Sequence, residues 1–233
     1  MTRFRNQKQF HDKVAVPLVQ FQLEYEWGCI TYDDGKETRN PPVSEKLYTE
    51  NPDLHNDPDL RVQHKQWSKL VEVKTESPTH HNFAIHIDCW EAHKRLNLQW
   101  RQTLTAFVTL DGKILCGWPD EIPDPQVILV PKRGNWQATE KRLKADYPDS
   151  KVIAIAFNAN DQSGTPFFTI QKSAPFLKPI DDFIAVELMG WPEDWRDIAE
   201  QDDWEAYHND LCVRCGTPRC GSPACMACGY GAA

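Results

Sequence analysis

Residues 70–75 read Leu-Val-Glu-Val-Lys-Thr, an alternation that specifies a strand. A period of two puts Leu70, Glu72 and Lys74 on one face and Val71, Val73 and Thr75 on the other. Asp57-Pro58-Asp59 stands upstream, joined to Glu72 by a short apolar–polar alternation at 60–64 and the polar interval 65–68. Two carboxylates, a lysine and two strands are thereby confined to one short stretch of chain.

The rest of the chain reads as alternating helices and strands. Residues 10–27 carry Phe10, Val14, Leu18, Phe21 and Leu23 at loose helical spacing, with Pro17 either kinking that helix or opening it. A short strand is expected at 29–32, ending at Asp33-Asp34-Gly35, and a long polar excursion at 36–58. Asp88 and Glu91 form a capping-box pattern for a helix over 88–97. Thr103 to Leu110 is the most apolar strand, and Asp111-Gly112 turns it into a hairpin partner at 113–116. Further strands are expected at 127–130, 151–157 and 166–170, with a helix beginning after Asn135. They extend the first sheet or form a neighbouring layer; periodicity alone fits both.

Asp59 and Glu72 brought together at strand ends can hold Mg²⁺, a hard cation that accepts carboxylate, carbonyl and phosphate oxygens. The Val73 carbonyl is a third candidate ligand. Lys74 could orient or help deprotonate water, or stabilise charge on a scissile phosphate. The alternative is a solvated edge-strand face for Glu72 and Lys74, with Asp57 and Asp59 as turn residues.

This arrangement resembles the PD-(D/E)XK nuclease superfamily over about residues 10–110: Asp59, then Glu72-Val73-Lys74, within the order helix, three strands, helix, strand. The resemblance implies an α/β, restriction-endonuclease-like mixed sheet flanked by helices. It implies Asp59 and Glu72 as metal carboxylates, Lys74 as the signature lysine, Mg²⁺ or Mn²⁺ as cofactor, and DNA as substrate. It also implies an acidic residue on the first helix, for which Glu24 or Glu26 is the candidate, with Asp57 in reserve for Asp59. Lys94, Arg95 and Arg101 are the expected phosphate contacts. His80, His81, His86 and His93 suggest a separate transition-metal site, although they lack the paired i,i+4 histidines of a zinc protease helix.

Cys212-x2-Cys215 and Cys225-x2-Cys228 have the spacing of a structural zinc site, with Cys220 left over. An iron–sulfur cluster is the competing group, and Cys29 with Cys212, Cys215 and Cys220 resembles one such plan. Cys89 and Cys116 are read as core residues. The chain thus divides into a nuclease-like domain at 1–180, an acidic helical segment at 181–210 and a cysteine-rich tail at 211–233.

Charge restricts the partners. The 233 residues carry 26 Lys+Arg against 34 Asp+Glu, a net charge of −8. Residues 181–210 hold eleven acids against Arg196 alone, which leaves the other 203 residues at +2. That argues against a chain coated in nucleic acid, yet permits a local DNA site. The acidic segment and the tail are candidates for a protein partner, and a non-enzymatic zinc-bearing adaptor is the rival function. No apolar run reaches the roughly 20 residues of a membrane span. The opening MTRFRNQKQF lacks the apolar stretch of a secretory signal, so a reducing, cytoplasmic setting is expected.

Overall fold

A computed structural model describes residues 10–33, 58–100, 102–157 and 164–200. The chain is an α/β protein with two mixed sheets flanked by helices. Its first helix, α1, spans 11–26: an α-helical Val16–Phe21 lies between π-helical turns at His11–Ala15 and Gln22–Glu26. Pro17 stands near the start of the α-helical part. A proline has no N–H to donate and crowds the preceding turn, so a widened turn before it keeps the helix continuous. The helix therefore begins well before Pro17.

The larger sheet contains β1 (Ile30–Asp33), β2 (Leu60–Gln63), β3 (Ser68–Thr75), β5 (Thr103–Val108), β6 (Ile114–Gly117) and β10 (Lys178–Pro179), hydrogen-bonded in that order. β1, β2 and β3 form an antiparallel meander. β3 then pairs in parallel with β5. A parallel neighbour requires a crossover, which here is β4 (Asn82–His86) followed by helix α2 (Ile87–Trp100). Asp111-Gly112 makes the expected turn between β5 and β6: Gly112 sits at φ +84°, a conformation that glycine adopts without a Cβ penalty.

The smaller sheet has the order β4, β9 (Phe167–Gln171), β7 (Val127–Pro131), β8 (Lys151–Ile155). β7 and β8 are parallel, and helix α3 (Trp136–Asp146) connects them. The strands after residue 126 thus form a neighbouring layer rather than extending the first sheet, apart from the two-residue β10. The strand β4 lies within the histidine-rich stretch, where none was expected from the sequence.

Each face of the larger sheet covers a core. Val62, Val71, Val73, Leu104 and Ala106 pack with Ala15, Val19 and Leu23 of α1. Helix α4, Ile180–Asp182 continuing as Phe183–Leu188, adds Phe183 and Ile184 to the same core. On the opposite face Phe107 joins Phe83, Trp90, Ile128, Leu143 and Phe168 in a core shared with the smaller sheet. Strand β5 is buried at every position because it serves both cores. A short helix α5 (Trp195–Glu200) follows α4 within the acidic segment. No described helix is long and apolar enough to cross a membrane. The four tail cysteines, Cys220, Asp57 and Arg101 lie outside the described residues.

Candidate active site

The β2–β3 ladder stops at Leu60 opposite Val71, because β2 begins there. Beyond that point the main chain of Val73 has no strand partner on the β2 side, and two side chains take its place. The Val73 N–H donates to Asp59 Oδ2 at 2.7 Å. The Val73 carbonyl lies 3.1 Å from His11 Nε2. Asp59 therefore stands at the end of β2 against β3, held by the peptide next to Glu72.

His11 completes a triangle, with Nε2 also 3.6 Å from Asp59 Oδ2. Burial by itself would lower the imidazole pKa. The hydrogen bond and charge of Asp59 outweigh it, with Asp12 assisting, and the net result is a rise to about 9. The π-helical turn at His11–Ala15 carries this side chain, and β3 is the strand that the turn packs against.

Glu72 and Lys74 share the opposite face of β3 from Val71 and Val73, as the alternation predicts. They are paired to each other through Glu72 Oε1. Their side chains are 10% and 19% exposed, against 27% for Asp59, so the pair forms the floor and Asp59 the rim. Burial is the largest single effect on Lys74 and opposes its charge, but Glu72 foremost, with Asp59 assisting, outweighs it and pushes the pKa up. The ammonium form is thereby secured at neutral pH. Nearby His86 moves the other way, lowered to about 4 by burial and then by the Lys74 charge, and stays neutral.

Helix α2 covers this floor. Cys89 Sγ donates toward Glu72 Oε1 at 3.7 Å and lies 3.8 Å from His93 Nδ1. Glu72, Cys89 and His93 are all buried, and one ligand atom from each falls within 4.8 Å of the others. This Glu-Cys-His group could hold a metal ion. Among the described residues it is the only such group of three.

The remaining expected site residues are scattered. Glu24 is exposed and accepts a hydrogen bond from Thr31 at the start of β1; the first-helix residue that reaches Asp59 is His11, not Glu24. A residue thirteen positions earlier meets the strand end because α1 passes it with its N-terminal turn. Glu26 is likewise exposed. Lys94 is bound to Asp124 at 2.8 Å and lies over the Trp90 ring, while Arg95 is exposed. Among the four histidines, His93 joins Cys89, and exposed His81 bonds to Glu76. Cys116 is buried in the first core, whereas Cys89 faces polar groups.

Sequence reasoning missed His11 and Cys89 at the site and gave His93 only to a separate histidine metal site. Cys89-x3-His93 is an i,i+4 pair and was visible as such. His11 left no comparable signal. Comparison with known proteins gives no match: no family model, no curated protein and no solved structure matches the chain.

Proposed function

We propose that this protein is a Mg²⁺-dependent DNA nuclease with a restriction-endonuclease-like core. The observation that carries the reading is the placement of Asp59 against the Val73 peptide, directly beside Glu72 and Lys74 on β3. The element order supports it: a helix, three antiparallel strands, a crossover through β4 and α2, and then a strand parallel to β3.

The donor set suits a hard divalent cation. Asp59 and Glu72 would hold it, with the Val73 carbonyl, and all are oxygen ligands. Asp59 Oδ2 and the Val73 carbonyl already converge on one positively charged group, the His11 imidazolium. A bound Mg²⁺ supplies charge to the scissile phosphate and acidifies water beside it. Lys74, held as an ammonium by Glu72, offers a second positive charge and a donor for a phosphate oxygen. Asp59, as the most exposed of the three, lies on the side from which a phosphodiester would approach. Arg95 on α2 and Arg101 are the candidates for contacts with flanking phosphates.

In this reading Cys212, Cys215, Cys225 and Cys228 bind a structural Zn²⁺, with an iron–sulfur cluster as the competing group. The protein is expected to act on DNA in the cytoplasm. The acidic segment and tail would then serve a protein partner.

The test is cleavage of linear, nicked and branched DNA with Mg²⁺ or Mn²⁺, alongside Glu72→Ala. Cutting should require the cation and vanish in the variant while the tail metal is retained. Unchanged cutting by Glu72→Ala would remove the proposed site. Zinc content that survives Cys212→Ser intact would remove the four-cysteine assignment.

A further inference from the structure

Glu72 lies between groups of different chemistry. Along β3 it adjoins the Val73 peptide, whose N–H donates to Asp59 Oδ2. Toward α2 lie a thiol and an imidazole. We propose that Glu72, Cys89 and His93 form a second cation site, selective for zinc, whose occupation draws Glu72 away from Mg²⁺ and stops DNA cleavage. The inhibitory half of this proposal rests on the nuclease reading above; the binding half does not.

Three observations support the site. Cys89 and His93 are one helical turn apart on α2, so both side chains project from the same face toward β3. The two separations from Cys89 are those of a tetrahedral site. Zinc bonds of about 2.3 Å to sulfur and 2.0–2.2 Å to nitrogen or oxygen place neighbouring ligand atoms roughly 3.6 Å apart. Cys89 Sγ lies 3.7 Å from Glu72 Oε1 and 3.8 Å from His93 Nδ1. Finally, all three residues are buried, at 7%, 8% and 2% exposure for Glu72, Cys89 and His93. A cation entering there finds Cys89 and His93 side by side, while the Glu72 carboxylate must change partner.

Ligand softness gives the selectivity. A thiolate and an imidazole favour Zn²⁺, whereas Mg²⁺ prefers oxygen and parts reluctantly with its waters. Binding forms the zinc–sulfur bond as the Cys89 S–H bond breaks, and that proton passes to solvent. With Glu72 and the Cys89 thiolate both negative, the occupied site is neutral. Lys74 must release Glu72 Oε1, or the carboxylate must offer its other oxygen. Either change alters the group on which Mg²⁺ depends.

Zinc content per full-length chain is the deciding measurement, since thiols of the tail are shared by every variant. Wild type, Cys89→Ser and His93→Gln are loaded with Zn²⁺, dialysed and assayed, with circular dichroism confirming that each is folded. Wild type should retain one zinc more than either variant, and Co²⁺ loading should lose its Cys89-dependent thiolate charge-transfer absorption in Cys89→Ser. Measured against each protein's own zinc-free rate, added Zn²⁺ should abolish Mg²⁺-supported cleavage by wild type but not by Cys89→Ser. Equal zinc content in wild type and in whichever variants fold overturns the site. A zinc difference with cleavage equally zinc-sensitive in both overturns the inhibition. A zinc difference without cleavage under any condition supports the cation site and overturns the nuclease reading instead.

Discussion

His11 Nε2 stands 3.6 Å from Asp59 Oδ2, although the two residues lie on a helix and at a strand start 48 positions apart. The imidazolium puts positive charge where Asp59 and the Val73 carbonyl meet. Mg²⁺ recruited by those oxygens must compete with it. His11→Ala should therefore bind Mg²⁺ more tightly, by about tenfold if the contact is worth about 1.4 kcal/mol. Isothermal titration with Mg²⁺ checks this; weaker binding would instead make His11 a ligand.

Asp59→Asn separates structure from chemistry. The amide oxygen can still accept the Val73 N–H, so the fold should lose only about 1 kcal/mol in urea unfolding. Mg²⁺-supported cleavage, if the proposed site is right, should nevertheless disappear, because the charge proposed to hold the cation is gone. A variant that unfolds easily, or one that still cuts, contradicts this division.

Asn97 joins the end of α2 to the start of β5. Its Nδ2 donates to the Thr103 carbonyl at 2.6 Å, and its Oδ1 accepts from the Thr103 N–H at 2.8 Å, both buried. Asn97→Leu leaves two backbone groups without partners where water is excluded. A loss of about 2–4 kcal/mol is expected in chemical denaturation.

Glu76 is a buried carboxylate that accepts from the Leu110 N–H at 2.9 Å, with His81 and Lys172 also against it. The Leu110 bond is the largest of the effects that lower its pKa, and the hydrogen bonds of His81 and Lys172 with the Lys172 charge add to it. Its contribution is thus complete above the ordinary carboxylate value near 4.5 and is lost as pH falls through the lower folded value. Glu76→Gln should be less stable than wild type at neutral pH and lose less stability on acidification. Urea midpoints measured between neutral pH and pH ~3 would show the two curves converging. Curves that stay parallel would show that Glu76 does not titrate on unfolding.

Much of the scaffold was legible from local pattern. The alternation of β3 is visible because one face is apolar, and Asp111-Gly112 announces its hairpin through turn chemistry. The strand β4 was not recognised, although buried Phe83, Ile85 and Ile87 do alternate with half-buried Asn82, Ala84 and His86. Its partner β9 lies about 85 residues away, and pairing over such a distance leaves no local mark. The site divides in the same manner. Asp59, Glu72 and Lys74 could be picked out as candidates because Asp59 immediately precedes β2 and the other two lie on the next strand, β3. His11 reaches them through the approach of a helix to a sheet, and Cys89 and His93 gain meaning only when Glu72 faces them across the layer. Glu24 has the right charge on the right helix, but sits exposed beside Thr31.

At position 73 the groups that count belong to the peptide, since its N–H and carbonyl are what Asp59 and His11 grip. The isopropyl group points into the first core and answers only to volume. Genetic drift among aliphatic residues would leave these contacts undisturbed. Proline, which deletes the amide hydrogen, is the one exchange that would sever the tether to Asp59 outright.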